Sequence, residues 1–327
     1  MYCIGKLGRG DANDKNRFSY AYSCQIVMHI PTLMDILQTY VSHAGLVIVM
    51  QKIKRNTPAL ISGSIRNLFY AVLACVIFFT LPVRADRWVD LSHIFNDDTI
   101  YWPTSKGFEM KKTAEGKTEK GYYYSANDFA TSEHGGTHLD APLHFSKTGY
   151  GVEQIPLSRL VGMGVVIDVS RRALKNRDYQ ITIKDITDWE QVYGRLPNNV
   201  ILLFNTGYAR FWPDREKYMG TTERGAAAVQ KLHFPGLHPD AAAWLVKNRK
   251  IASIGLDTPS LDYGQSKQFE THQILAGAQI PGFENVTNLD ALPPTGAMIV
   301  ALPMKIGGGS GAPLRIIARV PSAGLRD

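Results

Sequence analysis

Four short apolar runs limit how this chain can fold: residues 165–169 (VVIDV), 200–204 (VILLF), 251–256 (IASIGL) and 298–302 (MIVAL). Each has the length of an ordinary strand and is shorter than an ordinary helix. A largely unbroken apolar run is what a strand covered on both faces requires. Helical signals lie between them at 183–193, 224–232 and 239–247, the last opening on Pro239, which suits a first helical turn. Residues 87–91, the stretch from Tyr122 to Tyr124 and residues 314–320 add further extended segments, and turn pairs such as Pro235-Gly236 and Pro293-Pro294 separate elements. Strands alternating with helices imply an α/β fold with a mixed sheet. No solenoid-type repeat and no linker follows residue 86, so residues 86–327 read as a single domain.

Charge narrows the function. The net charge of +7 suggests an anionic partner, but residues 1–85 hold nine of the 36 Lys/Arg and only three of the 29 Asp/Glu. The rest is close to neutral, which removes the main compositional support for a nucleic-acid partner. Cys3, Cys24 and Cys75 all fall in the first quarter, so a cysteine-based zinc site or disulfide framework is excluded beyond it.

The first 85 residues have the character of a leader. Lys52, Lys54, Arg55 and Arg66 supply positive charge, residues 68–81 (LFYAVLACVIFFTL) form an apolar run, and Val83-Arg84-Ala85 resembles a cleavage site. Residues 50–85 are expected to be a signal peptide, leading to a secreted or periplasmic mature chain from Asp86, or else a membrane anchor formed by 68–81. The run is short for a span, which needs roughly 17–25 residues. Met50 immediately precedes this segment, so residues 1–49 are expected to be a disordered extension or to lie before the true start.

The chemistry is concentrated between Glu133 and Phe145: E-H-G-G-T-H-L-D-A-P-L-H-F. Imidazole nitrogen and carboxylate oxygen suit zinc or manganese. In an extended segment His138 and Asp140 point to the same side. Gly135 and Gly136 permit a bend that folds His134 back onto that side. Three ligands on one face leave positions open, as a catalytic metal needs. Pro142 stops regular pairing and brings His144 round close to the ion. A lone histidine is usually a surface or hydrogen-bonded core residue, but four such groups with two glycines between the first pair are hard to attribute to chance.

This segment resembles the signature H-x-G-T-H-x-D-x-P-x-H of the cyclase-like metal hydrolases, which include kynurenine formamidases and isatin hydrolases. His134, Gly136, Thr137, His138, Asp140, Pro142 and His144 reproduce it in full. Supporting fragments follow in order through 86–321: D-L-S at 90–92, W-P at 102–103, T-G at 206–207, F-P-G-L at 234–237, G-L-D-T-P-S-L-D at 255–262 and G-A-P-L-R at 311–315. The resemblance implies a swivelling β/β/α type of fold and a divalent metal, Zn2+ or Mn2+, as one or two ions. His134, His138 and Asp140 would hold one position; Asp140, His272 and Glu284 would hold a second. It implies His144 as general acid/base, Trp102 as a substrate-contacting aromatic, a small aromatic amide or lactam substrate and a homo-oligomer. The expected reaction is hydrolysis of an amide C–N bond of an aryl formamide or cyclic amide by metal-activated water. The alternatives are lactone hydrolysis, dehydration or cyclisation on the same site, or a non-catalytic module binding a small ligand.

Other features carry less. Residues 307–311 (GGGSG) lack the spacing of a phosphate loop and lead into a strand, so a loop lining the pocket is expected. Ser260 has no G-x-S-x-G setting. His238, just before Pro239, is expected to be structural, and Lys111, Lys112, Lys117 and Lys120 to belong to a solvated loop.

Overall fold

Residue by residue, the apolar runs become strands. The computed structural model describes residues 86–322, so the leader expectations for 1–85 fall outside the described residues. The strands are β1 (Arg87–Asp90), β2 (Glu109–Lys117), β3 (Tyr123–Ala130), β4 (His138–Asp140), β5 (Val161–Asp168), β6 (Gln180–Ile181), β7 (Ile201–Asn205), β8 (Gly236–Leu237), β9 (Ser253–Leu256), β10 (Gly282–Glu284), β11 (Thr295–Pro303) and β12 (Gly311–Val320). Strands β5, β7, β9 and β10 run parallel at the centre of the main sheet; its other pairings are antiparallel. The sheet is mixed, as the sequence implies.

The main sheet also closes on itself. Its order is β12-β11-β5-β7-β9-β10-β4, and β4 returns to pair with the start of β12, Gly311 opposite Asp140. The far end of the same β12 edge is taken by β1, from Arg87↔Val320 to Asp90↔Ile317. The three-residue β4 is thus clasped between β10 and β12.

Strand alternation distributes the apolar runs between two cores. Val166, Ile201, Leu203, Phe283, Ile299 and Ile316 meet in one. Val165, Ile167, Leu202, Phe204, Ile254 and Leu256 turn to the other, against Ile186 and Trp189 of the helix Ile183–Tyr193 and Leu245 of the helix Pro239–Asn248. All five residues of β7 are buried, which explains why its sequence shows no polar alternation. Each fully buried Leu, Ile or Phe contributes about 1.5–3 kcal/mol.

Two of the three expected helices form, with recognisable starts. Thr182 and Asp185 make a capping box, with the Thr182 N–H donating to Asp185 Oδ2 at 2.7 Å. His238 caps the second, its Nδ1 accepting from the Asp240 N–H at 3.1 Å, and its structural role stands. The expected helix over 224–232 is instead a 3-10 segment, Ala226–Lys231. It lies between Gly225, at φ +89°, and the extended Leu232, which leaves too little length for an α-helix to propagate. The lysine-rich stretch is also corrected: Lys111, Lys112 and Lys117 lie on β2, paired with β3 in a hairpin, and only Lys120 is in the turn. Both faces of β2 remain largely open to solvent, so no apolar alternation marks it as a strand. Among the described residues no helix is long and apolar enough to cross a membrane.

Candidate active site

The site is built around β4. Leu139 is fully buried in the first core while His138 and Asp140, on either side of it, reach the site, as strand alternation requires. Ahead of the strand, Gly136 adopts φ +56°, and a Cβ on Gly135 would lie 2.0 Å from the Tyr101 ring. Only glycines allow this tight bend, and it returns His134 to the face occupied by His138 and Asp140.

Asp140 is the centre of the cluster. Its Oδ1 lies 2.6 Å from His134 Nδ1 and 3.2 Å from His138 Nε2; its Oδ2 lies 3.2 Å from His272 Nε2. Glu284 completes the group, with Oε1 3.1 Å from His272 Nε2 and Oε2 3.4 Å from His138 Nε2. Among the described residues two sets have ligand atoms within 4.8 Å of one another: His134, His138 and Asp140, and Asp140, His272 and Glu284. The structure therefore brings together all five side chains named as metal candidates. His134 is half-buried and the other four are buried.

These residues fit a divalent cation. His138 Nε2 is buried without a hydrogen-bond partner, although it faces two carboxylates. Burial works against charge on His138, but Asp140 and Glu284 override it and hold the imidazole up at about 9. Burial would also raise Asp140, yet His138 and hydrogen bonds from the surrounding histidines hold it well below the usual carboxylate range. Burial, reinforced by Asp140, pushes Glu284 up. The pocket floor thus gathers two buried carboxylates whose negative charge a metal ion can offset.

Each imidazole is held from behind. His138 Nδ1 donates to the Gly136 carbonyl at 3.0 Å, and Asn285 Nδ2 donates to the same oxygen at 2.7 Å. The Tyr218 hydroxyl in turn donates to Asn285 Oδ1 at 2.9 Å. His134 Nε2 lies 3.0 Å from Ser310 Oγ, which donates to Glu133 Oε2 at 2.6 Å. The glycine-rich loop 307–311 was expected to line the pocket, but none of its residues lines the cavity; it bears on the site from behind, through Ser310, as a brace for His134. His272 Nδ1 donates to Asp262 Oδ2 at 2.6 Å. Such partners fix the tautomer and ring orientation, so that the other nitrogen would be available to a metal ion. Asp262, Asn285, Tyr218, Ser310 and Glu133 were not singled out from the sequence. Asp262 ends the G-L-D-T-P-S-L-D fragment, Glu133 opens the 133–145 segment and Ser310 lies in the 307–311 loop, but none of these patterns gave the residue a role.

His144 stands apart from both ligand sets. Its ring stacks on His134 at 3.7 Å between centroids and 18° between planes. Burial pushes His144 down to about 4, Asp140 opposes this, and the His134 and His272 rings add to it. The residue as a whole is exposed, so solvent moderates the drop, but the direction leaves the ring neutral near pH 7. Above the cluster opens a cavity of about 240 Å³ with an apolar wall of Ile100, Trp102, Phe145, Met219 and Phe269. Trp102 meets Phe269 edge-on at 6.0 Å and Phe234 at 6.4 Å.

Known proteins share this arrangement of chain. A family model described as putative cyclase matches residues 89–263. The isatin hydrolase of Roseibium aggregatum is 30% identical over 224 residues, covering 66% of this chain and 82% of that protein. The kynurenine formamidase of Salinibacter ruber is 28% identical over 233 residues, covering 71% and 96%. The structure of isatin hydrolase A from Labrenzia aggregata, bound to benzyl benzoate, superposes with a TM-score of 0.66 at 32% identity, covering 76% of this chain and all of that one. The match over more than half of the chain, the relative at 30% identity and the shared fold together place this protein in the putative cyclase family.

Proposed function

We propose that this protein is a metal-dependent hydrolase that cleaves the amide C–N bond of a small aromatic substrate, a cyclic amide of the isatin type or an aryl formamide. The observation that carries the reading is the position of His144: a neutral imidazole stacked on the ligand cluster, outside both ligand sets, at a cavity with an aromatic wall. The activities named for the two relatives support the substrate class.

His134, His138 and Asp140 would hold one ion, and Asp140, His272 and Glu284 a second. The nitrogen and oxygen donors suit zinc or manganese. A divalent cation there acidifies water and steadies negative charge on a carbonyl oxygen. The chain's own residues supply the rest. Neutral His144 accepts the proton of the attacking water and delivers it to the leaving nitrogen, a transfer suited to imidazole. Trp102 and Phe269 offer ring faces and edges to an aromatic substrate and exclude water from the cavity. Export by the basic and apolar leader, and assembly as a homo-oligomer, belong to the same proposal and rest on the sequence and its resemblance.

The test is a substrate panel with elemental analysis. The purified chain, loaded with Zn2+ or Mn2+, is assayed with isatin, N-formylkynurenine and a simple lactone. Ring opening of isatin or formate release from N-formylkynurenine is expected. Turnover of the lactone alone would move the assignment to ester chemistry, and tight binding without turnover of any substrate would reject the enzyme.

A further inference from the structure

Asp262 is fully enclosed, and each of its carboxylate oxygens does something different. Oδ2 accepts the His272 ring N–H at 2.6 Å and the His272 backbone N–H at 3.1 Å. Oδ1 accepts the Thr271 backbone N–H and the Ser266 hydroxyl, both at 3.1 Å. Ser266 Oγ then accepts the backbone N–H of Phe269 at 3.2 Å. A directional chain therefore runs from the Phe269 amide through the Ser266 hydroxyl to one oxygen of Asp262, while the other oxygen holds the His272 imidazole.

Phe269 is an unusual residue to find at the end of that chain. It adopts φ +53° and ψ +43°, a left-handed conformation that disfavours bulky side chains, immediately before the helix Glu270–Gly277 that carries His272. In that conformation its ring lies 6.0 Å from Trp102 and 5.7 Å from Phe145 and forms part of the cavity wall. The segment has something to gain from the Ser266 bond, because the backbone does not favour the conformation by itself.

We propose that Asp262 is a shared positioning residue. One oxygen aims His272 into the metal centre; the other, through Ser266, holds Phe269 as the aromatic wall. A single carboxylate thus couples the placement of His272, which would hold the ion, to the placement of the aromatic wall. The inference rests on the proposed function for the identity of the substrate, but its two arms can be read without turnover.

The arms are separated by substitution. Ser266→Ala cuts the link to Phe269 and leaves Asp262 on His272. Zn2+ titration of this variant is expected to match the parent, the Phe269 amide to exchange hydrogen faster, and KM for the aromatic amide to rise about tenfold with kcat within twofold. Ser266→Thr retains a hydroxyl and restores KM. Asp262→Asn removes the charged acceptor from both arms, so affinity for Zn2+ falls roughly 10–100-fold, the usual effect of losing such a partner, and amide exchange at Phe269 also accelerates. Thermal unfolding of each variant controls for loss of fold; if Asp262→Asn does not fold, Ser266→Ala with its threonine rescue still decides the substrate arm. Unchanged exchange at Phe269 in Ser266→Ala, or loss of Zn2+ binding in that variant, would overturn the proposal. If the parent turns over no amide while exchange and titration behave as stated, the positioning role stands and the substrate assignment fails.

Discussion

Glu284 stands directly across from His138 in the antiparallel β4–β10 ladder, with its Oε2 3.4 Å from His138 Nε2. The same register puts Gly282 opposite Asp140, where no side chain competes for the space. One ladder thus joins the two ligand sets, and Asp140 belongs to both. Removal of Asp140 and removal of Glu284 should have different consequences. Asp140→Asn is expected to abolish binding at both positions, and Glu284→Gln only at the position shared with His272. Metal titration with elemental analysis checks this; equal losses in the two variants would contradict the shared role of Asp140.

His144 should separate chemistry from binding. His144→Ala is expected to retain metal while kcat falls roughly 10²–10⁴-fold, the size of general acid/base contributions. His138→Ala should lose both metal and activity. Metal content measured beside steady-state kinetics distinguishes the two, and loss of metal from the His144 variant would make it a ligand.

Gly311 is a steric control on the same site. A Cβ there would meet His134 Cε1 at 2.4 Å and the Leu139 carbonyl at 2.8 Å. Gly311→Ala should push His134 from its place, weaken metal binding and cost about 1–3 kcal/mol, the range for overpacking. Denaturant unfolding and metal titration of the same preparation measure both effects.

Stability should carry a pH signature from a pair far from the site. Arg249 holds Glu190 in a two-pronged bond, Nε to Oε1 at 2.7 Å and Nη2 to Oε2 at 2.5 Å, and the Leu196 N–H adds a third at 2.8 Å. These bonds, Arg249 first, hold Glu190 below its ordinary value of 4.5. A carboxylate whose folded value is depressed contributes stability above its unfolded value and loses it as pH falls through the folded one. Glu190→Gln should therefore cost about 1–2 kcal/mol at pH 7, and the difference from the parent should vanish on acidification below pH 4.5. Urea unfolding across pH 3–7 tests this; a difference that grows towards acid would refute it.

The ligands of one strand were readable because strand geometry is local. His138 and Asp140, two apart, had to share a face, and two glycines had to return His134 to it. His272 and Glu284 were reached only through the order of motifs that resemble a family, since nothing local connects residue 140 to residues 272 and 284. Asp262, Asn285 and Ser310 were missed for the same reason. A hydrogen bond across 10 to 176 residues leaves no periodicity in the chain. The β2 strand was missed because both its faces are solvated and a strand without a buried face lacks the alternating signal.

By itself, then, the amino-acid order determined the buried strands, two of the helices and the chemistry of residues 134–144, all of which follow from spacing along a few turns or pleats. The fold alone decided which distant groups complete the site. Strand β4 is only three residues long, and its neighbours are set by the register of β10 and β12; a slip of one residue would turn Glu284 to the opposite face of the sheet and take it away from His138. That register is held by apolar packing on both sides of a closed sheet, a collective property of residues spread over the whole domain.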